Sequence, residues 1–311
     1  MPVEKIMEIN LSTVAMCNAD CVFCPRSDYK SKDVFMPVVT VQKIVNETMT
    51  AEFRDKHDFK SFVIGENGEA TLHPEFLTIL RILRKAPTIN VLFSNFSMMT
   101  PSYTDAVLSE KLADIVHVNI DGLTAKTYNA VKRLSYDRVE RNIRYFLDKR
   151  PADGPPLIIH VVTASNYVRS VERAFGAWPH KMLLDTELIP NEHERIIDKW
   201  KPLLRDGDFI GADDCLLWAE RNHLPRRPGD FECQLIERIK RAIFFAPNGD
   251  AYCCCFDVGN EIVVGNINWQ TIDEIHSGEK KAYVLKVVSE KEFPEAWPCN
   301  RVDCCQVMPF A

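Results

Sequence analysis

Apolar and polar positions follow two alternating periods along the first two-thirds of the 311-residue chain. Short runs with strand character lie at Ile6–Ser12, Phe59–Ile64, Asn90–Ser94, Ile115–Ile120, Leu157–Thr163 and Met182–Ile189. Between them come segments with apolar residues three and four apart: Val41–Phe53, Glu75–Lys85, Tyr103–Leu112, Ala125–Arg133, Asp137–Lys149 and Val168–Phe175. Ile79, Leu80, Ile82 and Leu83 mark one such face. Six β–α units predict an α/β fold with a parallel sheet and crossover helices, either doubly wound or curled toward a barrel. Both arrangements place functional loops at the carboxyl ends of the strands.

A parallel strand covered by helices on both faces is normally apolar on both. Met7-Glu8-Ile9-Asn10-Leu11-Ser12 and Val116-His117-Val118-Asn119-Ile120-Asp121 instead alternate, with the polar residues on one face. Helices should cover the apolar face, so Glu8, Asn10, His117 and Asn119 are expected to line a wet lumen suited to a substrate. A solvated edge strand would give the same pattern. His160 fits the lumen set less well and reads as a core histidine.

Apolar residues make up 46% of the chain, enough for one large domain with a small second one. The N-terminal Met-Pro-Val-Glu-Lys-Ile carries no apolar signal region, and no long apolar run suggests a membrane span, so a cytoplasmic protein is expected. In a reducing compartment eleven cysteines read as metal ligands or redox groups rather than disulfides. The net charge of −6 argues against a nucleic-acid partner and is compatible with a cationic small substrate.

Cys17, Cys21 and Cys24 form a C-x3-C-x2-C run ending in Phe23-Cys24. Three thiolates hold three corners of a four-iron cluster, which usually takes four, so the remaining iron is left for a non-protein ligand. A structural zinc site is the plainer alternative. The spacing and the aromatic Phe23 resemble the radical S-adenosylmethionine (radical SAM) superfamily. That resemblance implies a partial (β/α)6 barrel, a [4Fe-4S] cluster after the first strand, and S-adenosylmethionine chelating the open iron. Its reductive cleavage would release a 5′-deoxyadenosyl radical that abstracts hydrogen.

Further segments are similar to that superfamily. Gly65-Glu66-Asn67-Gly68-Glu69-Ala70 resembles the Gly-Gly-Glu-Pro loop, with Asn67 and Ala70 departing from it, and the resemblance makes Gly68 and Glu69 candidates for the methionine amino group. Phe93-Ser94-Asn95-Phe96 and Asn119-Ile120-Asp121-Gly122 stand where relatives line the ribose, nominating Ser94, Asn95 and Asn119. Taken alone, these are ordinary strand-to-helix turns.

Polar, Gly- and Pro-rich sequence through Arg205–Phe231 reads as a boundary, giving a barrel over 1–205, a linker over 206–232 and a small Cys-rich α+β domain over 233–311. A domain that small commonly needs a metal to fold. Cys233 and Cys254 form C-x15-G-x4-C around Gly249, and Asn248-Gly249 is a strong hairpin signal within Arg241–Phe256. This resembles the SPASM and twitch auxiliary-cluster domains, and the absence of the full C-x2-C-x5-C-x3-C run resembles the shorter twitch type. The resemblance implies a second [4Fe-4S] cluster on Cys233, Cys254, Cys299 and Cys304, with Cys305 as a rival to Cys304. Four thiolates on zinc are the alternative.

Strand alternation across Cys253-Cys254-Cys255 should put Cys253 and Cys255 opposite Cys254. Either thiol is then a candidate hydrogen donor to a substrate radical, and either reads equally as a small buried hydrophobe. Twitch-type relatives include epimerases and dehydrogenases of aminocyclitols and aminoglycosides. The expected activity is therefore epimerisation of a carbinol carbon in a sugar-like or amino-bearing substrate, with an external one-electron reductant such as flavodoxin or ferredoxin. A dehydrogenase using the auxiliary cluster as electron acceptor and a peptide-modifying maturase are the enzymatic alternatives; with the cluster motif starting at residue 17, an upstream peptide-recognition domain is not expected. A non-catalytic iron–sulfur carrier would need a fourth protein ligand near Cys17.

Overall fold

The computed structural model describes residues 4–24, 35–166, 168–169, 188–212, 233, 235–294 and 297–301. Its strands are β1 (Glu8–Leu11), β2 (Ser61–Ile64), β3 (Ile89–Phe93), β4 (Ile115–Asn119), β5 (Leu157–Val161), β6 (Phe209–Ala212), β7 (Ala242–Phe245), β8 (Asp250–Tyr252) and β9 (Val263–Asn266). The described helices are α1 (Val38–Thr48), α2 (Ala51–Lys56), α3 (Phe76–Leu83), α4 (Pro101–Ser109), α5 (Ala125–Lys132), α6 (Tyr136–Lys149), α7 (Glu192–Trp200), α8 (Ile236–Arg241), α9 (Ile272–His276), α10 (Glu279–Glu290) and α11 (Pro298–Arg301).

β1 to β6 pair in parallel and in chain order. An order that never reverses sends every right-handed crossover to the same side of the sheet, which decides between the two expected architectures. Helices cover one face and the other becomes a lumen, giving the partial (β/α)6 barrel. Ile9, Leu11, Phe62, Ile64, Leu92, Val116, Val118, Leu157, Ile159 and Val161 all join the main core under the helices. Each such side chain contributes about 1.5–3 kcal/mol. The residues alternating with them, including Glu8, Val91, Phe93, His117, Asn119 and His160, are half-buried on the opposite face.

Helix ends follow local chemistry. The run expected as one helix over Val41–Phe53 divides into α1 and α2, because Thr50 caps Phe53 N and starts a new helix. Thr124 with Thr127 and Thr271 with Glu274 form capping boxes on α5 and α9.

The sixth strand departs from expectation. β6 is Phe209–Ala212, inside the segment read as linker, and the parallel sheet therefore reaches residue 212. Four residues containing a glycine carry too little alternation to be recognised. The expected elements Val168–Phe175 and Met182–Ile189 fall almost wholly outside the described residues.

The C-terminal part does not stand apart as a separate sheet. β7 pairs in parallel with β1 over Glu8↔Ala242 to Leu11↔Phe245, and β8 and β9 extend the sheet antiparallel. An open barrel leaves the β1 edge with unpaired backbone groups, and β7 covers it. The β7–β8 turn is the expected one: Gly249 has φ +86° and its N–H donates to Ala246 O at 2.9 Å.

Beneath this junction, Lys281 is fully buried and donates to Ala242 O at 2.8 Å and His276 Nδ1 at 2.9 Å. His276 Nε2 donates to Glu4 O at 2.7 Å, so the ring is neutral. Burial, followed by the Lys281 charge, pushes the His276 pKa down to about 3 from 6.5. Between those values the unfolded chain binds the proton and the folded one does not. Stability is present above pH 6.5 and lost as pH falls toward 3, at up to about 1.4 kcal/mol per pH unit. Denaturant midpoints measured from pH 7.5 to 5.5 should fall less steeply for His276→Gln than for the parent protein.

Candidate active site

The loop after β1 carries the first three cysteines and is gripped from three sides. Gly68, on the loop after β2, has φ +88°, and a Cβ there would stand 2.1 Å from Val14 O. Glu69 N donates to Met16 O at 3.0 Å, and Val22 N to Val131 O at the end of α5 at 2.9 Å. Val22 and Phe23 pack with Val131 and Ala164. From the loop after β3, Asn95 Nδ2 donates to Asn18 Oδ1 at 2.9 Å and approaches Cys17 Sγ at 3.7 Å.

Cys24 is close enough to Cys17 and Cys21 to raise the pKa of both. Burial leads in pushing Cys17 up to about 11, with the Glu69 carboxylate next. Burial likewise pushes Cys21 up to about 12, against the opposing pull of Lys132. Three thiols on one loop, with the Lys132 ammonium beside the deepest, form an all-sulfur donor set that iron would bind as thiolates. The residues fit a four-iron cluster.

Glu69 is buried, and both of its carboxylate oxygens are used. Oε1 accepts from Ser94 Oγ at 2.9 Å and Thr71 Oγ1 at 2.5 Å, and Oε2 accepts from Asn95 N at 2.7 Å. Burial still raises its pKa above the usual carboxylate range. Glu69, Ser94 and Asn95 thus form one network tying the β2 and β3 loops together beneath the cysteines. Asn119 stands elsewhere, half-buried at the end of β4 in register with His160.

Asp121, two residues on, accepts from Val162 N at 3.1 Å and pairs with Lys132 Nζ at 2.9 Å, both side chains being buried. Burial disfavours the Lys132 charge, but Asp121 and Cys21 hold its pKa well above the ordinary value.

The lumen has two walls of different character. On one, His117 stacks on Phe93 with ring centroids 4.2 Å apart and on His160 at 5.2 Å, and His117 Nδ1 lies 2.9 Å from His160 Nε2. His160 therefore shares the lumen face rather than the core. On the other wall, Asn10 Nδ2 donates to Glu8 Oε1 at 2.5 Å, and Arg238 from α8 bonds both Glu8 and Glu66. Tyr252 OH lies 2.9 Å from Ser12 Oγ, and Asn67 Nδ2 donates to Tyr252 OH and Cys255 O, each at 3.3 Å.

Cys233, Cys254 and Cys299 are half-buried against the main core. Hydrogen-bond contact with Cys255, then burial, raises the Cys254 pKa well above the ordinary thiol value, and Cys299 is near enough to add to it. Their all-sulfur chemistry suits an iron–sulfur cluster; Cys304 and Cys305 lie outside the described residues. Among the described residues no three His, Cys, Asp or Glu side chains are grouped as for a single metal ion.

Alternation does not continue through the three cysteines. β8 ends at Tyr252 and the chain turns, Asp257 N donating to Cys254 O at 3.1 Å. Cys253 enters the main core, where burial pushes its thiol up to about 11, while Cys255 packs on the lumen side with Ala242, Phe244, Ala246 and Tyr252. The expectation that Cys253 and Cys255 share a face is corrected.

Residues 11–162 match the radical SAM superfamily, and residues 233–305 match the iron–sulfur cluster-binding SPASM domain. The chain is a radical SAM enzyme with a SPASM domain. Such an enzyme uses S-adenosylmethionine, a [4Fe-4S] cluster and auxiliary iron–sulfur chemistry, together with an external reductant.

Among solved structures, BtrN in complex with AdoMet and 2-DOIA superposes with a TM-score of 0.59 at 13% identity, covering 98% of this chain and 96% of BtrN. Streptococcus suis SuiB bound to S-adenosylmethionine gives 0.58 at 14% identity, covering 91% of this chain and 68% of SuiB. Native anSMEcpe with bound AdoMet gives 0.56 at 18%, covering 96% and 89%. At these identities the likeness is one of fold. No curated protein matches the sequence. No helix among the described residues is long and apolar enough to cross a membrane.

Several residues of this radical SAM site had escaped the sequence. Asp121 lies in the Asn-Ile-Asp-Gly turn, from which the sequence nominates only Asn119. Lys132, Glu66, Tyr252 and Arg238 carried no signal, because each acquires its role from a partner remote in the chain.

Proposed function

We propose that this radical SAM enzyme inverts a carbinol carbon in a sugar-like, amino-bearing substrate, with Cys255 returning the hydrogen. Cys17, Cys21 and Cys24 would hold a four-iron cluster with one iron free for S-adenosylmethionine, which would supply a 5′-deoxyadenosyl radical able to take hydrogen from one face. The Cys255 S–H bond then breaks as a new C–H bond forms on the other face. One electron from an external reductant such as flavodoxin or ferredoxin, and one proton, return the sulfur to thiol. The observation carrying this reading is the placement of Cys255 on the lumen side, 3.3 Å from Arg238 Nη1 and beside the Glu8 and Glu66 carboxylates. Those carboxylates suit an amino group, and Phe93 and His117 offer a flat surface and hydrogen bonds to a polyhydroxylated ring. Gly68, Glu69, Ser94, Asn95 and Asn119 shape the S-adenosylmethionine end. A reducing cytoplasm, in which these cysteines stay reduced, suits such chemistry.

A dehydrogenase is the second reading, favoured by the full-length fold likeness to BtrN, whose structure holds 2-DOIA. There the substrate carbon would pass a second electron to the auxiliary cluster and lose a proton, giving a ketone. Turnover of a panel of aminoglycosides and aminocyclitols in deuterated water separates the two. The epimerase should place one deuterium at the inverted carbon of an unoxidised product. Cys255→Ala should still form 5′-deoxyadenosine yet give no inverted product. A ketone without deuterium would overturn the epimerase.

A further inference from the structure

We propose that Arg238 sets the reduction potential of the auxiliary cluster by fixing one positive charge between the lumen carboxylates and the cysteine run. This role is independent of the choice between epimerase and dehydrogenase. Arg238 lies on α8, which joins Cys233 to β7, and its guanidinium rests over the Phe244 ring at 5.2 Å. Nε and Nη2 donate to Glu8 Oε1 at 3.0 and 2.8 Å, Nη1 and Nη2 to the two oxygens of Glu66 at 2.8 Å each, and Nη1 to Cys255 Sγ at 3.3 Å. Cys255 is in turn in contact with Cys254, the expected cluster ligand.

One side chain thus reaches barrel strand β1, the loop after β2 and the cysteine run. Arg238, Glu8 and Glu66 side chains are 29%, 26% and 24% exposed, so solvent screens them incompletely. Iron–sulfur potentials follow local charge, hydrogen bonding to sulfur and solvent exposure. Reduction adds negative charge, which Arg238 favours and the two carboxylates oppose. The triad carries one positive and two negative charges, so removing Arg238 and neutralising Glu66 should move the potential in opposite directions.

The test is an electron paramagnetic resonance redox titration of the anaerobically reconstituted full-length enzyme without substrate, comparing the parent with Arg238→Gln, Arg238→Lys and Glu66→Gln. Iron content verifies that both clusters are retained, and the radical SAM cluster, identified by its spectral response to S-adenosylmethionine, is the internal reference. At the parent's auxiliary midpoint, Arg238→Gln should lower the reduced-to-oxidised ratio about tenfold, a shift of about 59 mV for one electron. Glu66→Gln should raise the ratio, Arg238→Lys should fall between parent and Arg238→Gln, and the reference cluster should stay put. An unmoved auxiliary midpoint, shifts of the same sign in Arg238→Gln and Glu66→Gln, or an equal shift of the reference cluster would overturn the assignment, as would a C-terminal site with no redox-active metal. If Arg238→Gln fails to hold the cluster, the sign of the Glu66→Gln shift alone decides.

Discussion

Replacing Cys17, Cys21 and Cys24 together with Ala is expected to abolish S-adenosylmethionine-dependent formation of 5′-deoxyadenosine and to lower bound iron from about eight to about four atoms per chain. The three thiols lie on one loop, bonded to the β2 loop and α5 through backbone groups and to the β3 loop through Asn18, none of which the substitutions change. The barrel core, built from the helix-covered face of the sheet, does not depend on them. The loss should therefore be confined to one cluster. Iron and sulfide analysis after anaerobic reconstitution, with product detection by chromatography, reads both effects. A fall from about four irons to none would instead mean that the C-terminal cysteines hold zinc or nothing. That outcome would remove the redox role assigned to Arg238 and leave the Cys255 hydrogen donor standing.

Lys132→Met is expected to destabilise the protein by about 3–5 kcal/mol, because it leaves the Asp121 carboxylate buried without its partner. Among the described residues, that carboxylate also accepts a hydrogen bond from Val162 N at Oδ1, which does not neutralise its charge. Adding Asp121→Asn should recover most of the loss, since a neutral pair of similar size removes the uncompensated charge. Cluster binding should respond differently. Among the charged neighbours of Cys21, Lys132 is the one that most favours the thiolate, and the double variant still lacks it. Denaturant unfolding should show near-parental stability for the double variant, while iron titration shows weakened retention of the radical SAM cluster. Equal recovery of stability and iron would confine Lys132 to a structural role.

The Cys17–Cys24 spacing, the period of the first five strands and the Asn248-Gly249 turn were legible because each is a property of neighbouring residues. Three thiols within eight positions share a loop whatever the rest of the chain does. The wet lumen was legible in the same way, since polar residues at period two on β1 and β4 need a face that no helix covers. The choice between a barrel and a doubly wound sheet was not, because strand order depends on which edges meet.

Only the tertiary structure made Cys255, and not Cys253, the lumen thiol: β8 stops at Tyr252 and the following turn breaks the alternation. It also joined β7 to β1, bringing Arg238 to Glu8 and Glu66, which are 230 and 172 positions away in the chain. Period and spacing are short-range consequences of backbone geometry, whereas the partner of a buried charge is chosen by the global packing that takes it out of water. The sequence by itself therefore determined the chemistry the chain can hold, and the tertiary structure decided which side chains surround it.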